Sequence, residues 1–126
     1  MITLFLEQGA GMRVETREQD SVLILKIHGK MMGGPEATTF QETIKQHVAE
    51  GYRKFIFDLG EVDWMNSSGL GSLIGGLTTI KNAGGELKLA AVTEKIHSLF
   101  LITKLVTIFE SYDTVDEALN SFPAGK

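Results

Sequence analysis

Lys54-Phe55-Ile56-Phe57-Asp58-Leu59, followed after six residues by Asn66-Ser67-Ser68-Gly69-Leu70, is the stretch that decides the fold. Its first half is an apolar run that predicts a central strand, and its second half begins an amphipathic helix that we predict over residues 67–83. We predict a loop at residues 60–65 between them. We expect Ser67 to be the N-cap. A helix start carries unpaired N–H groups and a partial positive charge, so it favours a negative group. The residues alone leave three roles open for the two hydroxyls: capping, nucleophilic catalysis, or acceptance of a phosphate.

The segments on either side of this stretch alternate between strands and helices. Upstream, residues 12–18 and 22–27 flank the turn Asp20-Ser21 and predict an antiparallel hairpin. A helix should then begin at Pro35 and end at Gly51. Downstream, the predicted elements are a strand at 86–92, a helix from Thr93 to about Lys104, a short strand at 105–110 and a last helix capped by Asp113 or Thr114.

The predicted order of elements is β-β-α-β-α-β-α-β-α. It predicts a single α/β domain with a mixed four- to five-stranded sheet and about four helices. We place this domain at residues 12–122 and a tail at residues 123–126. Residues 1–11 end in the breaker Gly9-Ala10-Gly11, and they are either an added extension or an extra edge strand.

The composition is that of an ordinary soluble domain and excludes several functions. The chain has 126 residues, 43% of them hydrophobic and 22% charged, which is enough to bury a core. A net charge of −4 argues against a nucleic-acid partner or an anionic membrane surface. Since there is no cysteine, disulfides, thiolate metal sites and a cysteine nucleophile are excluded. We find no apolar run of the roughly 18–20 residues needed to cross a bilayer, and predict a cytoplasmic protein without direct membrane insertion.

The sequence lacks the usual motifs of an enzyme. The three histidines, His28, His47 and His97, have no metal-ligand spacing, so we predict neither a metal nor a cofactor. No G-x-S-x-G motif surrounds either serine, and no phosphate-binding glycine loop follows a strand. These absences disfavour a serine hydrolase and a nucleotide-dependent enzyme, and we predict that the protein is not an enzyme.

The predicted helix over residues 67–83 is unusually rich in small residues on one face. Gly71, Ser72, Gly75 and Gly76 lie on this face, and glycine in a helix costs roughly 1 kcal/mol relative to alanine. Either a partner or a neighbouring backbone approaches here, or the helix lies tightly on its own sheet. We expect Trp64 and Met65 to be exposed beside the serines.

The central segment resembles the signature of STAS domains, the anti-sigma factor antagonists of bacteria. In that signature an apolar strand ending in Asp-Leu is followed by a loop and then by Asp-Ser-Ser-Gly-Leu-Gly. Here the matching residues are Phe57-Asp58-Leu59 and the run from Val62 to Gly71. Further matches are Ile27-His28-Gly29, Gly84-Gly85-Glu86-Leu87 and the segment 105–119. The resemblance covers about residues 12–122.

The resemblance implies a function as well as a fold. In such proteins an anti-sigma factor that is a serine kinase phosphorylates one serine of the motif, and a serine phosphatase removes the phosphate. The unphosphorylated form binds the anti-sigma factor and frees sigma. The matching acceptor here is Ser68, with Ser67 as the alternative, and the other motif residues are Asp58, Asn66, Gly69 and Leu70. We expect a monomer or weak dimer whose partner surface includes Met31, Met32, Trp64, Ser67, Ser68, Gly71, Ser72 and Gly75.

This sequence departs from the family pattern in two places. Asn66 stands where the family has an aspartate, and Asn caps a helix but carries no charge. This favours an alternative: a non-phosphorylated scaffold or accessory subunit in a stress-signalling or lipid-transport complex. The run Lys30-Met31-Met32 follows Gly29, where many relatives have an acidic residue. The two methionines either form an adaptable protein contact or pack under the first helix.

Overall fold

The described residues of the chain form a six-stranded sheet with four helices packed on it. A computed structural model describes the backbone of residues 3–7, and both the backbone and the side chains of residues 12–123. The strands are β1 (Thr3–Glu7), β2 (Met12–Gln19), β3 (Val22–Met31), β4 (Lys54–Met65), β5 (Glu86–Ala90) and β6 (Glu110–Tyr112). The helices are α1 (Pro35–Ala49), α2 (Ser67–Asn82), α3 (Glu94–Ile102) and α4 (Val115–Asn120). From residue 12 onwards, the predicted order of five strands and four helices is confirmed.

The sheet is mixed, as predicted. Strands β1, β2 and β3 form an antiparallel meander, whereas β3, β4, β5 and β6 are parallel neighbours. Asp20 and Ser21 both have positive φ values, 55° and 69°, which is typical of a two-residue hairpin turn. That turn pairs Gln19 with Val22 and fixes the register of the hairpin.

Part of the N-terminal segment belongs to the sheet. The backbone of Thr3–Glu7 pairs antiparallel with Arg13–Arg17 of β2. For these five residues, an extra edge strand is therefore the correct alternative. The predicted breaker at residues 9–11 and the end of the predicted tail at residues 124–126 lie outside the described residues.

The two faces of the sheet are covered by different helices. Phe55 and Phe57 of β4 belong to the large core beneath α1, α2 and α3, while Ile56 between them belongs to a smaller core beneath α4. All three side chains are completely buried, as expected for a strand with helices on both faces. The prediction that this strand is central is confirmed.

Four predicted boundaries were wrong. The predicted strand at 22–27 continues as β3 to Met31, and the predicted strand at 86–92 ends as β5 at Ala90. The predicted loop at residues 60–65 continues β4 as far as Met65, because this segment pairs with β3 after register shifts. The predicted strand at 105–110 is β6 at Glu110–Tyr112 instead. Residues 105–109 do not continue as a strand because α3 ends in a reversal, in which Lys104 has a φ of 64° and Leu105 N donates to Phe100 O at 2.9 Å.

A lysine is buried where α4 covers the sheet. Lys88 of β5 is only 4% exposed, and its Nζ donates to Glu110 Oε2 at 2.7 Å. The same Nζ lies 4.8 Å from the ring centroid of Phe122. Burial disfavours the charged ammonium, but the hydrogen bond and attraction from Glu110 outweigh it, so the pKa of Lys88 is raised. The hydrogen bonds from Lys88 and then Tyr112 hold the pKa of Glu110 below its ordinary value.

This pair makes the stability of the fold depend on pH. Because the folded-state pKa of Glu110 is lowered, its contribution is present above the ordinary glutamate pKa of about 4.3 and is lost as pH falls through the lower folded value. We expect Glu110→Gln to reduce the free energy of unfolding at pH 7 and to flatten its fall between about pH 5 and pH 3. Urea unfolding across that range measures both effects. Glu42→Gln, on an exposed position of α1, is the control and should leave the slope unchanged; an unchanged slope in Glu110→Gln would refute this assignment.

Candidate functional site

The two serines lie at the carboxyl edge of the parallel strands. At this edge β3 leads into the loop Met31–Gly34, β4 leads into α2, and β5 leads into α3. In open α/β sheets, the loops at the carboxyl ends of strands are where binding sites are usually built. The fold therefore brings three separate chain segments to the place where Ser67 and Ser68 are exposed.

The helix start is capped by Asn66 rather than by Ser67. Asn66 has an extended backbone, and its side-chain Oδ1 accepts a hydrogen bond from Gly69 N at 2.9 Å. The predicted Ser67 cap is wrong, because Asn is at least as good a cap and lies one residue earlier. Ser67 and Ser68 are instead the first two helical residues, and neither hydroxyl makes a hydrogen bond with the described residues. Both hydroxyls are thus exposed and not used for capping.

The α2 start lies directly against the end of β3. Asn66 N donates to Met31 O at 3.3 Å. A methyl group added at Gly69 would lie 1.8 Å from that same carbonyl oxygen, so no side chain fits there. The motif glycine is therefore a packing requirement that lets the helix start approach the strand backbone.

A second glycine packs against Ser68. Gly33, in the loop after β3, has a φ of 89°, and a methyl group added there would lie 2.6 Å from Ser68 Cβ. Both its backbone conformation and its surroundings favour glycine. Sequence reasoning missed this contact, because Gly33-Gly34 preceding Pro35 indicated only a helix start.

The surface around the serines combines apolar and basic groups. Met32 and Trp64 are each 46% exposed. The Nζ of Lys95, on the first turn of α3, lies 5.8 Å from the ring centroid of Trp64, close enough for a cation–π interaction. The first turn of α2 contains no acidic residue. Lys95 was not predicted, since its contact joins elements that are far apart in sequence.

The predicted partner surface is only partly accessible. Met32, Trp64, Ser67, Ser68 and Gly71 are exposed, and their role in binding stays a prediction. Of the other predicted positions, Met31 and Ser72 are buried and Gly75 is half-buried. Met31 is 1% exposed and Ser72 is 8% exposed, and Gln41 of α1 lies over Gly75, where an added methyl group would be 3.1 Å from its Nε2.

These positions are buried or half-buried because two pairs of elements, β3 with β4 and α1 with α2, lie closer together than predicted. β4 extends to Met65, which pairs with Met31, and both side chains enter the core. The prediction that Met65 is exposed is therefore wrong: only 3% of it is accessible. Helix α1 packs across α2, and Gln41 Nε2 donates to Ser72 O at 2.7 Å. Most of the small-residue face is thus used for packing within the domain.

The remaining motif residues, Leu70 and Asp58, stabilise the fold and do not belong to the exposed surface around the serines. Leu70 is 5% exposed and belongs to the large core. Asp58 Oδ1 accepts from Gly60 N at 3.0 Å. Asp58 precedes Met65 by seven residues on the same strand, or about 20 Å at the usual rise. Asp58 therefore stabilises the strand far from the serines.

Two of the three histidines make their contacts away from the serines. His47 Nδ1 is hydrogen-bonded to Thr43 O, and the ring of His28 contacts Arg13 and Glu15; neither imidazole contacts a serine. Among the described residues, no three His, Asp or Glu side chains are grouped to hold a metal ion. Within the same residues, no helix is long and apolar enough to cross a membrane. The geometry is that of two exposed serines on a capped helix start.

Comparison with known proteins places the chain in a family. The family model of the STAS domain matches residues 13–118. A Thermotoga maritima protein, provisionally assigned as an anti-sigma factor antagonist, is 30% identical over 101 residues, which are 79% of this chain and 88% of that protein. The anti-sigma-B factor antagonist of Staphylococcus aureus is 30% identical over 96 residues, which are 75% of this chain and 86% of that one.

Solved structures agree with this assignment. The crystal structure of a provisionally assigned Thermotoga maritima anti-sigma factor antagonist has a TM-score of 0.75 and 28% identity, covering 83% of this chain and 90% of that chain. Bacillus SpoIIAA, solved in unphosphorylated and phosphorylated forms, has a TM-score of 0.66 in both, with 14% and 16% identity. Both comparisons cover 85% of this chain. They cover 94% of the unphosphorylated SpoIIAA chain and 96% of the phosphorylated one, and at these identities they show a shared fold. The predicted resemblance is confirmed, and the chain belongs to the STAS domain family.

Proposed function

We propose that this protein is an anti-sigma factor antagonist that is switched off by phosphorylation at Ser68. Its unphosphorylated form binds an anti-sigma factor with serine-kinase activity, and a serine phosphatase restores that form. The observation that carries the proposal is the exposed Ser68 hydroxyl, which is free of capping at the start of a 16-residue helix. The role is binding rather than catalysis, and it is carried out in the cytoplasm.

The fold can accept a phosphate at this position. A phosphate adds about −1.5 to −2 charges, and the α2 start offers backbone N–H groups and the positive end of the helix dipole. No carboxylate in the first turn opposes the added charge. Asn66 holds Gly69 N with a neutral amide, so the cap itself does not repel the phosphate. Phosphorylation should therefore leave the domain folded.

A bound partner would not accept the same charge. Met32 and Trp64 are exposed on the segments that meet Ser68 at the carboxyl edge, and Gly71 is exposed one turn further along α2. A protein covering this surface must remove water from a phosphate as well as from apolar groups. Desolvating a dianion without a matching cation is costly. The switch thus acts on the interface rather than on the fold.

Two observations favour Ser68 over Ser67 as the acceptor. Ser68 occupies the second-serine position of the family motif, and it packs directly against the Gly33 loop. A group added to Ser68 would therefore affect both the start of α2 and the loop after β3, which are two of the three segments at the carboxyl edge. Ser67 remains the alternative acceptor.

The relatives support this function. The Staphylococcus aureus relative is named for antagonism of an anti-sigma-B factor. SpoIIAA keeps the same fold likeness to this chain in its unphosphorylated and phosphorylated forms. This agrees with a switch that changes the surface while the fold persists.

One observation favours a second function. Asn66 is a neutral cap, through its Oδ1, where the family has an acid. If that acid is needed for phosphate transfer, this chain is a non-phosphorylated scaffold or accessory subunit in a stress-signalling or lipid-transport complex. Phosphorylation assays separate the two functions.

The acceptor can be identified by intact-protein mass spectrometry. After incubation with purified serine-kinase anti-sigma factors, ATP and Mg²⁺, we expect the wild-type chain to gain the mass of one phosphate. Ser67→Ala should gain it equally, and Ser68→Ala should not, because it lacks the acceptor hydroxyl. Circular dichroism should show that both variants are folded.

Other results of this assay would reject parts of the proposal. A phosphate retained in Ser68→Ala but lost in Ser67→Ala would move the acceptor to Ser67. No phosphate on the wild-type chain, together with phosphorylation of Asn66→Asp, would support the scaffold function instead.

The cap predicts a separate effect on stability. Asn66→Ala removes the acceptor for Gly69 N and should lower the free energy of unfolding by about 1 kcal/mol. Asn66→Asp keeps the acceptor and gains about 0.3–1 kcal/mol from the helix dipole. Urea unfolding at pH 7 measures both, with Asn82→Ala at the other end of α2 as the control. Equal stability of Asn66→Ala and the wild-type chain would show that this cap does not stabilise α2.

A further inference from the structure

Trp64 is an exposed aromatic side chain at the carboxyl edge, and it is the only tryptophan of the chain. Its backbone is held in the sheet, where Trp64 pairs with Lys30 of β3 and the next residue, Met65, is buried in the large core. The Trp64 residue itself is 46% exposed. The sheet therefore fixes where this side chain starts, whereas the orientation of the ring is left to neighbouring side chains.

Lys95 is a neighbour of this ring. Its Nζ lies 5.8 Å from the ring centroid of Trp64, within the roughly 6 Å over which a cation is attracted to an indole face. Lys95 forms no ion pair with the described residues, although Asp63 and Glu94, which precede Trp64 and Lys95, are both exposed. Among the described residues, the ring is thus the group that the lysine charge contacts.

A lysine at this position is poorly placed for the stability of α3. Lys95 is the second residue of the helix, whose first turn is capped by the Thr93 side chain. A helix start carries a partial positive charge, so a cation there is unfavourable, whereas the acid Glu94 is favourable. Lys95 is also exposed, and the buried residues of α3 are Ile96 and Phe100. Neither the helix dipole nor the core accounts for this lysine, which leaves its contact with Trp64.

We infer that Lys95 is a positioning residue that holds Trp64 as an anchor for the anti-sigma factor, that is, as a side chain that dominates binding. This inference rests on the function proposed above. Tryptophan is among the residues that most often dominate an interface. A ring that is held before the partner arrives loses less conformational freedom on binding, and that loss is part of the cost of association. Lys95 therefore strengthens binding through Trp64 and not by a contact of its own.

The fold places this pair beside the proposed switch. Strand β4 ends at Met65 and α2 begins at Ser67, so Trp64 precedes Ser68 by four residues at the carboxyl edge. Lys95 comes from the start of α3, the third segment of that edge. The start of α3 thus takes part in partner binding through Trp64, although the predicted partner surface included no residue of this helix.

A double-mutant cycle, measured by calorimetric titration with the anti-sigma factor, tests this inference. Lys95→Met keeps an unbranched side chain without the charge, and it should weaken binding about three- to tenfold. Trp64→Ala should weaken binding at least about tenfold. The double variant should bind about as tightly as Trp64→Ala alone, because Lys95 acts through the ring that is already missing. Lys95→Arg keeps a cation and should bind like the wild-type chain.

Two further measurements separate positioning from a structural role. The melting temperature of Lys95→Met should change by no more than a few degrees, because losing the ring contact is offset by removing a cation from the helix start. Since Trp64 is the only tryptophan, the decay of fluorescence anisotropy in the free chain reports this ring alone, and the ring should move faster in Lys95→Met. Lys45→Met removes the same charge from an exposed position of α1 and should change neither ring motion nor binding.

The contrary results are distinguishable. If Lys95→Met binds like the wild-type chain while Ser68→Asp loses affinity, the role of Lys95 is rejected and the proposed switch stands. Losses that add in the double variant would overturn the inference by showing that Lys95 contacts the partner directly. Unchanged ring motion in Lys95→Met would overturn it by showing that Lys95 does not hold Trp64. A wild-type chain that binds no anti-sigma factor would reject the proposed function and this inference together.

Discussion

The structure depends on the close approach between the start of α2 and the end of β3. Gly69 lies so near the Met31 carbonyl that no side chain fits, and Asn66 N donates to the same oxygen. This contact fixes where α2 begins. The side chain of Asn66, the residue before the helix, then caps its first turn. Because the capping is done by Asn66, both serine hydroxyls remain on the surface. The same contact that orders the helix thus exposes the residues that we propose are regulated.

The fold could be predicted from the sequence much further than the site could. Hydrophobic periodicity and the turn Asp20-Ser21 were enough for the element order from residue 12, because these are local signals. Distances between elements were not predictable in this way. Met31 and Met65 follow glycine-rich or polar segments that indicated loops, yet they pair across β3 and β4 and enter the core. The covering of Ser72 by Gln41 likewise depends on how α1 crosses α2.

The small residues of α2 illustrate the same limit. Their pattern indicated a close neighbour but could not identify it. In the structure Gly76 faces Ile44 and Phe57, so the neighbour is the domain itself. Gly71, in contrast, faces open space. One helix therefore uses glycines both for internal packing and for leaving a flat surface beside Ser68, and the sequence pattern does not separate these uses.

The most direct measurement concerns a permanent charge at Ser68. We would compare Ser68→Asp with the neutral, similarly sized Ser68→Asn, by melting temperature and by calorimetric titration with the anti-sigma factor. We predict that both variants melt within a few degrees of the wild-type chain, and that only Ser68→Asp loses affinity, by at least about tenfold. Unfolding of Ser68→Asp, or equally tight binding by both variants, would contradict a switch that acts at the interface.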